Sequence, residues 1–156
     1  MYLGADRKIR PGARAEITGT QLIGVMTGMA SVELIPLLTV KDARGIVEFY
    51  KKAFGATELS RQSTPTGQFI IEMSIDGERF FAVDENPSAF NVSPATLGGT
   101  SVRLSLIVAD PDAVAARAVA AGGKVVFPVG DQPYGMRQGR IADPAGHHWL
   151  IGKPLR

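Results

Sequence analysis

His147 and His148 stand side by side and are the only two imidazoles in the chain. Imidazole is the commonest metal ligand and the side chain best suited to proton transfer near neutral pH. Adjacent residues at the start of a strand point to opposite faces, so these two do not converge readily on one centre. His147 then reads as a turn residue and His148 as a polar group at a surface or cavity rim. Glu72, Asp84 and Glu85 offer oxygen ligands, but no spacing sets them apart. A metal site needs several convergent ligands; none is expected, and no cofactor.

Arg103 offers different chemistry. If its strand alternates, Arg103, Ser105 and Ile107 share a face. A guanidinium in a partly dry setting needs a partner, because an unpaired buried charge is costly. The partner is either internal, with Glu72 and Asp84 as candidates, or an anionic ligand held bidentately. Internal pairs are the commoner arrangement. Arg137 and Arg140 flank the last hairpin, with Tyr134 in the loop before it, and are candidates for a cationic mouth. For Arg140 ordinary strand surface is favoured, within reach of Asp143. Phe90, an apolar aromatic in a Pro-rich loop, is placed to cover a pocket or a partner. Trp149 is expected in the core.

Several functions are excluded. The chain has no cysteine, hence no disulfide, thiolate ligand or thiol nucleophile. It fits a reducing compartment, and the cytoplasm is the expected location. No Gly-x-Ser-x-Gly elbow is present, and Leu97-Gly98-Gly99-Thr100 precedes a strand, not the helix a phosphate loop requires. The net charge of +2 over 156 residues looks mildly basic. Residues 1–30 hold four basic and two acidic side chains, so residues 31–156 carry thirteen of each. A neutral body argues against nucleic acid as a partner. The apolar run 22–26 is far short of the roughly 20 residues that span a membrane, so no membrane partner is expected. As a signal peptide its apolar core is weak, and residues 1–30 read as a flexible N-terminal extension.

The elements that must position these side chains come in two rounds. Glu33–Val40 reads as a strand, with Pro36 favouring a sheet edge. Asp42 caps a helix in which Ile46, Phe49, Tyr50, Ala53 and Phe54 recur at helical spacing, and Gly55 ends it. Strands follow at 57–62, 68–75 and 79–84, the last two joined by the hairpin signal Asp76-Gly77. Residues 85–100 read as a linker. The second round has a strand at 102–108, a helix from Asp110 to Ala121, and strands at 124–129, 136–143 and 148–151. An offset of 68 places Val40 on Val108, Asp42 on Asp110, Ile46 on Val114 and Gly55 on Gly123. Four matches in register argue for an internal repeat. The fold class is α+β: two tandem βαβββ motifs (33–84 and 101–152) forming curved mixed sheets around a central cleft, with the helices outside, in a single domain over 31–156.

The segments TVKDARGIVEFYKKAFGATEL (39–59), LGGTSVRLSLIVADPDAVAARAVAAGGKVVFPV (97–129) and GRIADPAGHHWLI (139–151) resemble the vicinal oxygen chelate superfamily. That group contains glyoxalase I, bleomycin and fosfomycin resistance proteins and extradiol dioxygenases. FYKKAFGA and DPAGHHW are most similar to its PhnB-like branch. The resemblance implies a metal held by His, Glu or Gln from the first and last strand of each motif. Aligned on this chain, those positions fall at Ile35, Ala82, Arg103 and Leu150, none of which is a normal ligand. It therefore implies a metal-free protein that holds a metabolite or antibiotic in its cleft. The alternative is a metal-dependent lyase, isomerase or dioxygenase whose ligands lie elsewhere. Arg103, Ser105, Glu72, Asp84, Phe90, Tyr134 and Arg137 become the candidate cavity-lining set. A homodimer is expected by the same resemblance.

Overall fold

A computed structural model describes residues 32–156, and one compact unit, Ile35–Arg156, carries all the elements below. The extension expected over residues 1–30 lies outside the described residues. The first round is β1 (Leu37–Val40), α1 (Ala43–Phe54), β2 (Thr57–Ser63), β3 (Phe69–Ile75) and β4 (Glu78–Asp84). A 3-10 turn (Pro87–Ala89) and a short α2 (Pro94–Leu97) occupy the linker. The second round is β5 (Arg103–Ile107), α3 (Pro111–Ala120), β6 (Lys124–Gln132), β7 (Met136–Ala142) and β8 (His148–Pro154).

Local chemistry sets the boundaries. Asp42 accepts from the Gly45 N–H at 3.0 Å and Asp110 from the Ala113 N–H at 3.1 Å, so both helices start on the same side-chain cap, 68 residues apart. Gly55 ends α1 at φ 67°, a conformation glycine adopts without steric cost. Asp76 and Gly77 both have positive φ (49° and 92°), as a two-residue hairpin matching the twist of its strands requires. Proline lacks an N–H, and β1 accordingly begins after Pro36, at a sheet edge, with the Pro36 carbonyl accepting from Phe81 N at 2.9 Å.

Each round closes its own four-stranded mixed sheet, in the orders β1-β4-β3-β2 and β5-β8-β7-β6. The first strand of each runs parallel to the last, and the other pairs are antiparallel. The fold is α+β with tandem βαβββ motifs, as the repeat predicted. One face of each sheet packs on its helix, burying Leu38, Val40, Ile71, Met73, Phe80 and Ala82 in the first and Ile141, Trp149 and Ile151 in the second. The helix-side surfaces of the two rounds merge in one aromatic cluster: Phe54 lies 4.6 Å and Phe80 6.0 Å from Trp149, and Tyr50 lies 5.2 Å from Phe80, between ring centroids. Such pairs add about 0.5–1.5 kcal/mol each beyond their buried area.

This shared core has a consequence for the cleft. Phe80 and Trp149 meet on the helix side of both sheets, so the open faces lie on the sides away from this core. Those open faces are the candidate walls of the cleft expected between the repeats.

Candidate functional site

The open faces follow from strand register, since paired residues share a face. On the first sheet Leu37, Phe81, Glu72 and Ser60 form one row across the strands, and Thr39, Val83, Ile70 and Gln62 the next. On the second, Arg103, His148, Ala142 and Lys124 form one row, and Ser105, Leu150, Arg140 and Phe127 the next. Arg103 and Ser105 thus stand on an open face, as alternation predicted, and both are exposed.

Register also corrects the alignment of the last strands. Leu37 pairs with Phe81, while its repeat equivalent, Ser105, pairs with Leu150, so the offset grows from 68 on the first strand to 69 on the last. A constant offset matched Leu150 to Ala82, which is buried on the helix side. The open-face equivalent of Leu150 is Phe81. Phenylalanine offers a metal no lone pair, so Ile35, Phe81, Arg103 and Leu150 do not fit a divalent ion. Among the described residues no three His, Cys, Asp or Glu side chains converge as a metal site would need.

Several candidates are structural. Asp84 turns to the helix side and accepts from Ala43 N at 2.6 Å and Phe69 N at 2.8 Å, tying β3 to the start of α1. Arg137 also turns to the helix side: it grips Asp112 of α3 through Nε and Nη2, each at 2.7 Å, and reaches Asp131 at 2.8 Å. These bonds hold the Asp112 carboxyl below its usual pKa. Neither residue lines a cleft. Both follow from alternation: Asp84 shares the helix-side face of Phe80 and Ala82, and Arg137 that of Ile141, opposite to Arg140.

Glu72 does stand on an open face, but its partner is Arg79, at 2.6 Å, with Ser60 donating at 3.2 Å. Arg103 makes no ion pair with a described residue, and the internal partners expected for it are engaged elsewhere, Glu72 by Arg79 and Asp84 by backbone N–H groups. Phe90 is 91% exposed at the end of the 3-10 turn, with φ 62°. Tyr134 is exposed in the β6–β7 turn and donates to Gln138 Oε1 at 3.2 Å. The structure gathers Arg103 and Ser105 on one wall, leaves Glu72 on the other and disperses the remaining candidates.

Asp143 lies in the core and not beside Arg140 on the strand surface. It was expected within reach of Arg140, yet it is buried and accepts from Tyr50 Oη (2.9 Å), Trp149 Nε1 (3.0 Å), Ala145 N (2.9 Å) and His147 N (3.0 Å). Burial, with the Asp143 charge adding to it, raises the Tyr50 pKa well above its usual value. His147 is a turn residue as expected, its Nε2 lying 2.8 Å from the Thr39 carbonyl.

Arg140, expected as ordinary strand surface, is instead partly buried against an aromatic ring. It projects from the open face between Leu150 and Phe127, its guanidinium 5.1 Å from the Phe127 ring centroid. Its Nε is buried with no hydrogen-bond partner. Counting across the Asp143–Gly146 turn places Arg140 opposite Leu150, so its face was legible. Phe127 was hidden by the bulges. A separate groove of about 360 Å³ lies on the helix side, among Lys41, Glu48, Phe49, Lys52 and Ala145. It contains none of the sequence candidates, and its charges are of both signs.

The pattern of the glyoxalase/bleomycin resistance protein/dioxygenase superfamily matches residues 32–151. A Mycobacterium bovis protein described as uncharacterised is 42% identical over 127 residues, 79% of this chain and 84% of its own. The crystal structure of TioX from Micromonospora sp. ML1 superposes with a TM-score of 0.61 at 27% identity, over 80% of this chain and 99% of that one. A gene product of Arabidopsis thaliana gives 0.60 at 31% identity, over 76% and 96%. Two βαβββ rounds in one core, matched by the family pattern over nearly every described residue, place this chain in the glyoxalase/bleomycin resistance protein/dioxygenase superfamily.

Proposed function

We propose that this protein binds a small molecule, a metabolite or antibiotic, against its open sheet faces without a metal, as a homodimer whose second copy closes over those faces. The observation that carries this reading is the chemistry of the four positions where the superfamily's ligands would fall: Ile35, Phe81, Arg103 and Leu150 supply no ordinary metal donor. The resemblance to the PhnB-like branch and to drug-sequestering resistance proteins supports the same reading. What remains at those positions is apolar surface with one guanidinium, the composition of a ligand pocket.

Elemental analysis of purified protein and a thermal-shift screen test it together. The expected protein carries no stoichiometric Zn, Ni, Mn or Fe, and chelator leaves its Tm unchanged. A ligand at 100 times its Kd stabilises by about 2.7 kcal/mol, which is several degrees of Tm in a domain of this size. About one metal ion per chain, with Tm falling on chelation, would favour a metal-dependent lyase, isomerase or dioxygenase and overturn the proposal.

A further inference from the structure

From the open face of the second sheet we infer the chemical class of the ligand: an organic oxyanion, a carboxylate or phosphate carried on a flat apolar body. This rests on the small-molecule reading and deepens it. Arg103 and His148 face each other across β5 and β8, and Arg140 lies one row away on β7. At about 4.8 Å per strand and 3.3 Å per residue, the two arginines start roughly 12 Å apart on the same face. Both rows, from Arg103 to Lys124 and from Ser105 to Phe127, contain no acidic residue. Neither Arg103 nor Arg140 forms an ion pair with a described residue, whereas the comparable Arg79 and Arg137 are both held by carboxylates.

Arg140 adds the second observation. A buried guanidinium N–H without an acceptor is costly, and it is retained here on the face where a ligand would lie. The Phe127 ring lies 5.1 Å from the guanidinium carbon and braces it on that face. Two planar forks suit a carboxylate or phosphate, which accept in pairs. Phe127, Leu150 and Ile107 around them provide the apolar bed for the body of such a molecule.

The test compares three probes of one shape: 2-naphthoate, the neutral 2-naphthamide and the cationic 2-naphthylmethylamine. Titration calorimetry on the full chain measures affinity, and amide chemical shifts locate the site. Naphthoate should bind at least tenfold more tightly than the amide and shift β5, β7 and β8. Arg103→Gln and Arg140→Gln should each weaken naphthoate about tenfold, Arg140→Lys less. Arg137→Gln removes an equal charge on the helix side and should leave affinity unchanged. If amide or cation binds that face as well as naphthoate, the oxyanion assignment falls while the small-molecule reading stands. Binding by none of the three overturns the assignment, and only a blank thermal-shift screen would remove the broader reading too. Equal losses in all three variants, Arg137→Gln included, would reduce the effect to net charge and overturn it as well.

Discussion

The carboxyl of Asp143 shows how one residue joins the two repeats. Its oxygens take Tyr50 from α1 and Trp149 from β8, so the first motif's helix is fastened to the second motif's last hairpin. Tyr50→Phe removes one buried donor and leaves three, at a cost of about 1–2 kcal/mol. Thermal denaturation should read that as a fall of roughly 3–8 °C. The same contact sets a pH limit. Tyr50 has its pKa raised by burial, so the folded state holds the phenol's proton where the unfolded chain releases it. This contribution is fully present below the unfolded tyrosine pKa of about 10 and is lost as pH rises above it. Denaturation midpoints should therefore drop more steeply above about pH 10 in wild type than in Tyr50→Phe; equal slopes would refute the coupling. None of this was legible beforehand. The sequence shows Trp149 as core and Asp143 as a turn residue, but a bond across 93 positions leaves no local pattern.

At the scale of elements, legibility followed the range of the interactions. Helix caps at Asp42 and Asp110, the Gly55 stop and the Asp76-Gly77 hairpin are local chemistry, and each appears where the residues placed it. The linker, which reads as plain loop in the sequence, carries α2, started by Ser93, whose Oγ accepts from Thr96 N. Glu85 fastens that turn, accepting from Ser93 N at 2.7 Å and Thr96 Oγ1 at 3.0 Å; these bonds lower its pKa. Face assignment from sequence is least secure where a strand is irregular. Beta6 shifts register on both sides of Phe127, and the twist there presses its backbone onto β7 at Gly139. A Cβ on Gly139 would lie 2.8 Å from Val129 N and 3.0 Å from the Phe127 carbonyl oxygen, both backbone atoms that cannot swing aside. Gly139→Ala should thus destabilise by about 1–3 kcal/mol, measured by denaturant titration. It should also broaden amide resonances of β6. A neutral or stabilising result would mean that β6 does not hold this irregular register.

For the whole molecule, the open faces create the need that the proposed homodimer would meet. Leu37, Ile107 and Phe127 are 66%, 58% and 59% exposed, and they stand on the two faces a pocket would require. One sheet leaves a small ligand accessible to water on one side, and enclosing most of a ligand's surface takes a second wall. In the first sheet Glu72 is neutralised by Arg79, so that wall brings little net charge to the cationic rows of the second. Laid by a twofold axis over the other copy's second sheet, each first sheet would cover Phe127 and Leu150 without opposing Arg103. The two resulting pockets would be identical. A stable interface of this kind buries about 1,600 Å² in total. Leu37→Lys tests this directly. Leu37 is on an edge strand, where lysine is well tolerated, so the monomer should keep its fold and circular dichroism. Sedimentation equilibrium should show wild type as a dimer at micromolar concentration and Leu37→Lys with a dimer Kd raised at least tenfold. Ligand affinity should fall in parallel, because half of each pocket leaves with the partner. A wild-type monomer that binds naphthoate with undiminished affinity would show that one sheet suffices, and would sink the dimer while leaving the oxyanion site intact.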